Sequence, residues 1–315
     1  MKRLFSLLLM MLCWLGAHAQ EEYGVVSISV CNMRSTPDFD AEMVSQALLG
    51  TPVRIIGQGE NVPFPWPQVQ SPDEYTGWVH YAAITRMSAQ ELHAWNAAPK
   101  VVVTALTGLV YSQASERSET ISDIVAGCRL KYLGRQGRWL RVGFPDGRQG
   151  YVHRSLAQQE EDWRKHLDQS PEAILRTARS MLGHPYIWAG MSPKGMDCSG
   201  FVRAVLFMHD IIGPRDAGPQ SRTGERIEGL DPLLPGDLVF FGRWNEGKPR
   251  VSHVGFYLGE GRFIHSLGMV KVGSFRPEDP LYDAYNTGRY LFASRIFPLT
   301  DPQFTTTLTN PLYKL

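Results

Sequence analysis

Three residues in the C-terminal half have the types and spacing needed for catalysis by a thiol. Cys198 follows Asp197, a favoured helix N-cap residue, at the head of an apolar run that extends to Ile212. A cysteine in the first helical turn faces unpaired backbone N–H groups and the positive end of the helix dipole. Both stabilise the thiolate, which is the reactive form. The position therefore predicts that Cys198 is a nucleophile.

A base for this thiol is predicted on a hairpin further along the chain. His253 and His265 lie on two predicted strands joined by Gly259–Gly261. If that turn has three residues, Gly255 lies opposite His265 and the two histidines share a face. A two-residue turn would put them on opposite faces. In the three-residue register His253 takes the thiol proton, and His265 orients and polarises His253.

Two other interpretations of these residues stay open at this stage. Histidines in strands are often structural. Cys198, His253 and His265 could also ligate zinc, although the sequence has no Cys-x-x-Cys, no His-x-x-x-His and no paired carboxylates beside them. We expect no metal and no other cofactor.

The elements that must position these residues form a predicted α+β domain over residues 171–300. Ser170–Glu172 has an N-cap residue, a proline at the first helical position and an acid in the first turn, which predicts a helix. The Cys198 helix follows it. Asp237–Phe241, Val251–Leu258 and Arg262–Ser266 then predict strands. Helices followed by antiparallel strands are typical of an α+β domain.

The N-terminal half repeats one order of features, a glycine before a strand, a tryptophan strand and a Gly-aromatic-Val-His end. The repeat predicts two small all-β barrels, over 22–86 and 100–156, filled by Trp66 and Trp139. Ser88–Glu91 has capping-box spacing, which predicts a helical linker over 87–99. A second linker is expected over 157–170, and the tail 301–315 is predicted to have no regular structure.

Composition and the N-terminus limit the class of protein. The chain has 315 residues with a net charge of +1 and no basic run, so nothing favours nucleic-acid binding. Residues 1–19 have a positive start, an apolar core and a small-x-small end at Ala17–Ala19, as in a secretory signal too short to span a membrane. We expect an exported, soluble, periplasmic or secreted protein that is a monomer. Cys31 and Cys128 could pair in a disulfide or pack as small apolar residues.

Five segments in order carry a family resemblance across about 171–297. They are Tyr186–Gly190, Met196–Val202, Leu234–Phe241, His253–Tyr257 and Phe263–His265. They resemble the NlpC-type cell-wall cysteine peptidases, which have a papain-like fold, and the two N-terminal repeats resemble bacterial SH3-type domains. The resemblance implies a triad of Cys198, His253 and His265, with Tyr186 beside the oxyanion. Ala189 departs from the family pattern, where glycine is usual.

The whole layout resembles one branch of that family, the γ-D-glutamyl-L-diamino-acid endopeptidases of the dipeptidyl-peptidase VI type. The resemblance implies cleavage of murein peptides that have a free N-terminal L-Ala, with release of L-Ala-D-Glu. It also implies that Asp216, Tyr81 and Glu42 bind the free amine, and Ser199, Trp188 and Asp197 are further candidates for substrate contact. A non-catalytic wall-binding protein and an amidase or acyltransferase on the same fold are the alternatives. The third residue of the substrate, lysine or meso-diaminopimelate, stays open.

Overall fold

The computed structural model describes residues 22–60 and 62–315. It has two seven-stranded β-barrels followed by a domain of helices and a six-stranded sheet. The predicted signal 1–19 lies outside the described residues. No helix in the described part of the chain is both long and apolar enough to cross a membrane.

The first barrel (barrel 1) extends from Glu22 to Met87. Its strands are β1 (Glu22–Val26), β2 (Val30–Arg34), β3 (Met43–Leu48), β4 (Pro52–Gln58), β5 (Pro67–Gln70), β6 (Thr76–Trp78) and β7 (Ile84–Met87). They are hydrogen-bonded in the order β3-β2-β6-β5-β4-β1-β7. Trp66 is buried and its ring packs edge-on against His80, with centroids 5.5 Å apart.

A helix joins this barrel to a second one (barrel 2) of the same design. Helix α1 (Ala89–Ala97) begins at Ser88 with the predicted capping box. The strands that follow are β8 (Lys100–Val103), β9 (Thr107–Tyr111), β10 (Thr120–Val125), β11 (Arg129–Gln136), β12 (Trp139–Gly143), β13 (Gln149–His153) and β14 (Ala157–Gln159). Their order, β10-β9-β13-β12-β11-β8-β14, repeats that of barrel 1 strand for strand. Trp139 and His153 repeat the Trp–His contact at 5.3 Å.

The segment expected to be a linker over 157–170 is largely structured. β14 pairs with β8 and completes barrel 2, and helix α2 (Glu160–Lys165) follows directly. Arg129 of barrel 2 fixes this helix through an ion pair with Glu160 at 3.0 Å. The domain boundary therefore lies after α2, because the polar run Gln158–Asp162 supplies a strand edge and a helix start rather than a free connection.

The third domain combines helices, most of which precede the sheet, with a six-stranded antiparallel sheet and a separate two-stranded hairpin. Its helices are α3 (Pro171–Ser180), α4 (Cys198–Phe207), α5 (Ala217–Gln220) and α6 (Ala284–Thr287). Its strands are β15 (Met191–Ser192), β16 (Gly195–Met196), β17 (Glu225–Ile227), β18 (Leu238–Asn245), β19 (Lys248–Gly259), β20 (Arg262–Leu267), β21 (Met269–Ser274) and β22 (Tyr290–Arg295). The sheet order is β17-β22-β18-β19-β20-β21. Every residue of α4 is buried, and Phe201 meets Phe256 of β19 edge-on at 6.0 Å.

The β19–β20 hairpin has the register that the sequence predicts, reached by a different turn. Gly255 lies opposite His265, as expected for a three-residue turn. The turn itself has two residues, Glu260 and Gly261, both with positive φ. An irregularity between Tyr257 and Gly259 inserts one extra residue and restores the register. His253 and His265 therefore share a face of the sheet.

The C-terminal tail is structured, contrary to the prediction for 301–315. Thr305 bridges to Ile212, and Asn310 caps the short helix α7 (Pro311–Lys314). Leu312 is buried in a cluster with Tyr23, Leu92 and Trp95. The few apolar side chains of the tail are scattered among threonines and follow no helical or strand period, so the sequence predicts no regular structure. These side chains nevertheless pack between domains.

Candidate active site

A cavity of about 570 Å³ opens between barrel 1 and the third domain. Its lining mixes a thiol, a histidine, acids, aromatic rings and one arginine. The lining residues are Glu42, Val44, Tyr75, Tyr186, Trp188, Ala189, Asp197, Cys198, Ser199, Asp216, Ala217, Gly218, Val251, Ser252, His253, Leu267, Tyr285 and Arg289. The sequence-predicted Cys198, His253, Tyr186, Asp216, Glu42, Ser199, Trp188 and Asp197 all belong to this set.

Cys198 is the first residue of α4, and Asp197 caps the helix by accepting the Gly200 N–H at 2.6 Å. The thiol is 8% exposed. Burial and the nearby Asp197 charge raise its pKa from 9.0 to about 11, although backbone N–H groups of Val254 and Ser199 act to lower it. Desolvation therefore outweighs the helix terminus in the free site, and the pKa of the Cys198 thiol lies above neutral pH. The role of Cys198 as the nucleophile stays a prediction.

His253 and His265 form a buried pair with 2.7 Å between Nε2 of His253 and Nδ1 of His265. Burial and His265 lower the pKa of His253 to about 3, and burial lowers that of His265 to about 4. Both imidazoles are neutral near pH 7. Because Nε2 of His253 is occupied by His265, Nδ1 is the nitrogen left to take a proton. No group of three or more His, Cys, Asp or Glu side chains in 22–60 and 62–315 is arranged to hold a metal ion.

Barrel 1 and the loop after α4 each bring one carboxylate into the cavity. Asp216 accepts a hydrogen bond from the Tyr75 hydroxyl, and Glu42 accepts one from Trp188 Nε1 at 2.9 Å. Burial raises the pKa of Asp216. Within the described residues neither carboxylate forms an ion pair, since no Lys, Arg or His nitrogen lies within 4.0 Å of either. These two carboxylates make the cavity suited to a cationic group.

Tyr81 lies outside the cavity, in contrast to its expected role at the substrate amine. It begins a single 3₁₀ turn, is 46% exposed, and its ring packs against His80 at 4.5 Å. Tyr75 occupies the wall instead. A role for Tyr81 at the substrate amine stays a prediction, and barrel sequences do not indicate which of the two tyrosines near β6 meets another domain.

Asp197 and Ser199 reach the cavity but are held by Arg215. Arg215 donates to Asp197 Oδ2 at 2.7 Å and to Ser199 Oγ at 3.0 Å, and its guanidinium is buried. Asp197 thus caps the helix and pairs with Arg215, so both of its carboxylate oxygens already have partners. Ser199 contributes a small polar wall beside Cys198.

Tyr186, Trp188 and Ala189 come from the segment before α4. Burial and the nearby Cys198 raise the pKa of Tyr186 to about 12, so its hydroxyl stays a hydrogen-bond donor. Trp188 is 62% exposed at the rim. Ala189 has φ of 58°, a left-handed conformation that explains why glycine is usual there. A single buried alanine accepts this backbone at the cost of some strain.

Arg289 is a lining residue that the sequence did not single out. It donates to Ser252 Oγ at 2.7 Å, and its guanidinium lies over the Tyr285 ring at 4.6 Å. Its charge also helps to lower the pKa of His253, so it lies on the catalytic side of the cavity. It precedes β22 directly, but no local motif marks it.

Residues 183–294 match the NlpC/P60 family, 33–84 the bacterial dipeptidyl-peptidase Sh3 domain and 107–158 the bacterial SH3 domain. The γ-D-glutamyl-L-lysine dipeptidyl-peptidase of Bacillus cereus is 32% identical over 233 residues, which are 71% of this chain and 67% of that protein. The chain belongs to the NlpC/P60 family. Its third domain is therefore an NlpC/P60 domain, and the fold class predicted from sequence, two SH3-like barrels and a cysteine peptidase domain, is confirmed.

Two further relatives extend over nearly the whole chain. Dipeptidyl-peptidase 6 of Lysinibacillus sphaericus is 28% identical and matches 82% of this chain and 93% of its own. The crystal structure of an NlpC/P60 family protein from Bacillus cereus superposes with a TM-score of 0.74 at 26% identity, covering 88% of this chain and 100% of that one. The two barrels and the NlpC/P60 domain thus occur together, in this order, in a solved relative.

Proposed function

We propose that this chain is a cysteine peptidase that hydrolyses the bond between γ-D-glutamate and an L-diamino acid in murein peptides with a free N-terminal L-Ala. The product is L-Ala-D-Glu. The observation that carries the proposal is the pair of unpaired carboxylates, Glu42 and Asp216, in the same cavity as Cys198 and His253. The names of the Bacillus and Lysinibacillus relatives support the same reaction class.

The reaction starts from a neutral Cys198 thiol and a neutral His253 imidazole. As Cys198 Sγ attacks the γ-carbonyl carbon, its proton moves to His253 Nδ1. The oxyanion that forms accepts hydrogen bonds from the Cys198 backbone N–H and the Tyr186 hydroxyl. His253 then gives its proton to the leaving α-amine, the C–N bond breaks, and an acyl-thioester remains. Water deprotonated by His253 attacks the thioester and releases the free γ-carboxylate and the thiol.

The cavity selects the substrate by charge. A free α-amine is a cation, and Glu42 and Asp216 supply two negative charges, with the Tyr75 hydroxyl on Asp216. An N-acylated stem, as in glycan-linked murein, has no such cation. Arg289 lines the same cavity on the side of His253, and a diamino acid with a free α-carboxylate would provide an anion for it.

Murein lies outside the cytoplasmic membrane, and the leader-like pattern of residues 1–19 fits export to that compartment. Export is therefore part of the proposal. Mass spectrometry of the extracytoplasmic fraction is expected to find a mature chain that begins at Gln20. A chain that retains Met1–Ala19 and stays in the cytoplasm would contradict export.

The decisive assay compares L-Ala-γ-D-Glu-L-Lys with the same peptide acetylated at its N-terminus. We expect cleavage of the free peptide at the γ-D-Glu bond and at least a hundredfold lower kcat/KM for the acetylated one. Cys198→Ala is expected to abolish cleavage, and Cys31→Ala serves as the matched control, because Cys31 is buried in barrel 1. Equal cleavage of both peptides would refute amine selection, and cleavage of neither, with meso-diaminopimelate peptides also inert, would refute the substrate class.

A further inference from the structure

A fourth ionisable group stands behind the histidine pair. The Asp283 carboxylate places Oδ2 3.7 Å from Nε2 of His265. That nitrogen is fully buried and has no hydrogen-bond partner among the described residues. The distance is that of an ion pair rather than a hydrogen bond. His265 thus has one ring nitrogen on His253 and the other directed towards a carboxylate.

The fold holds Asp283 firmly in this place. Asp283 caps α6, with Oδ1 accepting the Asn286 N–H at 3.0 Å and Oδ2 accepting Asn286 Nδ2 at 2.7 Å. Its own N–H donates to the Ser274 carbonyl at 2.9 Å. Gly273 packs closely beside it, since a Cβ there would lie 2.8 Å from the Phe263 ring and 3.3 Å from the Asp283 Cβ. Against the effect of burial, the Asn286 hydrogen bonds hold the pKa of Asp283 below its ordinary value, so it is ionised.

The neutral histidine pair has two possible proton arrangements, and they differ in function. With the His265 proton on Nδ1, His265 donates to His253 Nε2, and the His253 proton must then sit on Nδ1, where it blocks the base. With the His265 proton on Nε2, His253 donates Nε2–H to His265 Nδ1, and His253 Nδ1 keeps its lone pair for the thiol.

We propose that Asp283 is a positioning residue that fixes the productive arrangement by holding the His265 proton on Nε2. A buried lone pair facing a carboxylate at 3.7 Å is repelled, whereas an N–H dipole is attracted. When His253 takes the thiol proton, the same negative charge stabilises the resulting imidazolium through His265. The proposal rests on the proposed function for its catalytic consequence, but the proton position on His265 can be measured without any substrate.

Two cations oppose this effect and have to be included. Lys271 lies directly across from His265 on β21, and Arg289 lies near His253. Both act to lower the histidine pKa values, and Asp283 is the acid that acts to raise them. Removing the carboxylate leaves the pair facing positive charge alone, which disfavours a cationic His253.

The first measurement is the tautomer itself. Long-range ¹H–¹⁵N NMR of ¹⁵N-histidine-labelled protein at pH 7 is expected to find the protons of both His253 and His265 on Nε2. In Asp283→Asn a substantial Nδ1–H population should appear on His265. A wild-type His265 that carries its proton on Nδ1 overturns the proposal without any variant.

The second measurement is kinetic. Asp283→Asn and Asp283→Ser are expected to lower kcat ten- to a hundredfold with KM within twofold, and Asp283→Ser keeps an N-cap for α6 without the charge. Asp279→Asn is the matched control, because Asp279 lies in the same segment and pairs with Arg262 at 2.6 Å. We expect this variant to have the kcat of the wild type. If both Asp283 variants retain wild-type kcat and tautomers, Asp283 is only a helix cap. If wild-type protein cleaves no murein peptide, the proposed function fails, while the tautomer result still decides the role of Asp283.

Discussion

The two barrels share one strand order but make different contributions to the cavity. Both hold a buried tryptophan against a histidine, and both form the same hydrogen bond before the third strand, Ser35 N–H to the Glu42 carbonyl and Ser112 N–H to the Glu119 carbonyl. Yet barrel 1 supplies Glu42, Val44 and Tyr75 to the cavity wall, and within the described residues barrel 2 supplies nothing to it.

The contacts with the NlpC/P60 domain explain this difference. Barrel 1 is joined to α4 by a buried ion pair between Asp73 and Arg203 at 2.8 Å, and Gln46 accepts the Met191 N–H at 2.9 Å. Barrel 2 packs on the last residue of α4, Phe207, where Arg129 lies over the Phe207 ring at 4.8 Å and pairs with the buried Asp210 at 3.4 Å. A half-exposed ion pair between Asp123 and Lys194 adds to this contact. A duplicated fold therefore does not duplicate a site. The part of the NlpC/P60 domain that each copy packs against decides whether that copy reaches the cavity.

Among the changes that test the difference between the barrels, the largest expected effect comes from breaking the buried contact of barrel 1. Asp73→Ala leaves Arg203 buried without its charge partner, so we expect a loss of about 3 kcal/mol or more in the free energy of unfolding. The cavity wall should shift with it and lower kcat/KM at least tenfold. Denaturant unfolding and peptide kinetics measure both.

Asp123→Ala of barrel 2 is the counterpart, with an expected change below about 1 kcal/mol because its ion pair is solvated. Its kcat/KM should equal that of the wild type. Equal losses from the two substitutions would mean that both barrels are required for the site, and the distinction between them would fail.

A smaller effect, which depends on pH, is expected at Asp216, one of the two carboxylates in the cavity. Burial raises the pKa of Asp216 above its ordinary 3.8, so kcat/KM for the free-amine peptide should fall as pH drops through that raised value. Asp216→Asn should lower kcat/KM about tenfold at pH 7. It should also remove the part of the acidic limb of the pH–rate profile that arises from Asp216. The limb that remains belongs to His253, whose pKa is about 3. A pH–rate profile unchanged by Asp216→Asn would exclude Asp216 from amine binding.

The smallest expected effect separates equivalent positions in the two barrels. Glu42→Gln should lower kcat/KM for the free-amine peptide about fivefold, since Asp216 and Tyr75 remain. Glu119→Gln changes the corresponding residue of barrel 2 and is expected to leave kcat/KM within error. A matching loss in Glu119→Gln would show that the effect arises from the barrel fold rather than from contact with substrate.

Local sequence rules predict the repeat, the α4 start and the face of the β19–β20 hairpin. These follow from periods and caps that a few residues define. The hairpin also shows the limit of such rules. The predicted register is confirmed and the predicted three-residue turn is wrong, because a two-residue turn and the bulge between Tyr257 and Gly259 together give the same register.

Residues fixed by contact between domains were not predictable in the same way. Tyr75 rather than Tyr81 reaches the cavity, and the tail buries Leu312 against barrel 1 and α1. Asp283 and Arg289 belong to no local motif. They lie in a loop and before a strand, and only the tertiary fold brings them to the site. The pKa of Cys198 also depends on burial, which the helix-start argument does not contain.

The burial of Cys198 has a consequence for chemical durability. Peroxides and alkylating reagents react with thiolates, and a thiol with a pKa of about 11 is almost entirely protonated at neutral pH. We therefore expect the free enzyme to react slowly with small oxidants and electrophiles, and we expect reactivity to develop when an acyl group is held beside His253. A covalent inhibitor of this site therefore needs groups that bind the charged side chains of the cavity, Glu42, Asp216 and Arg289.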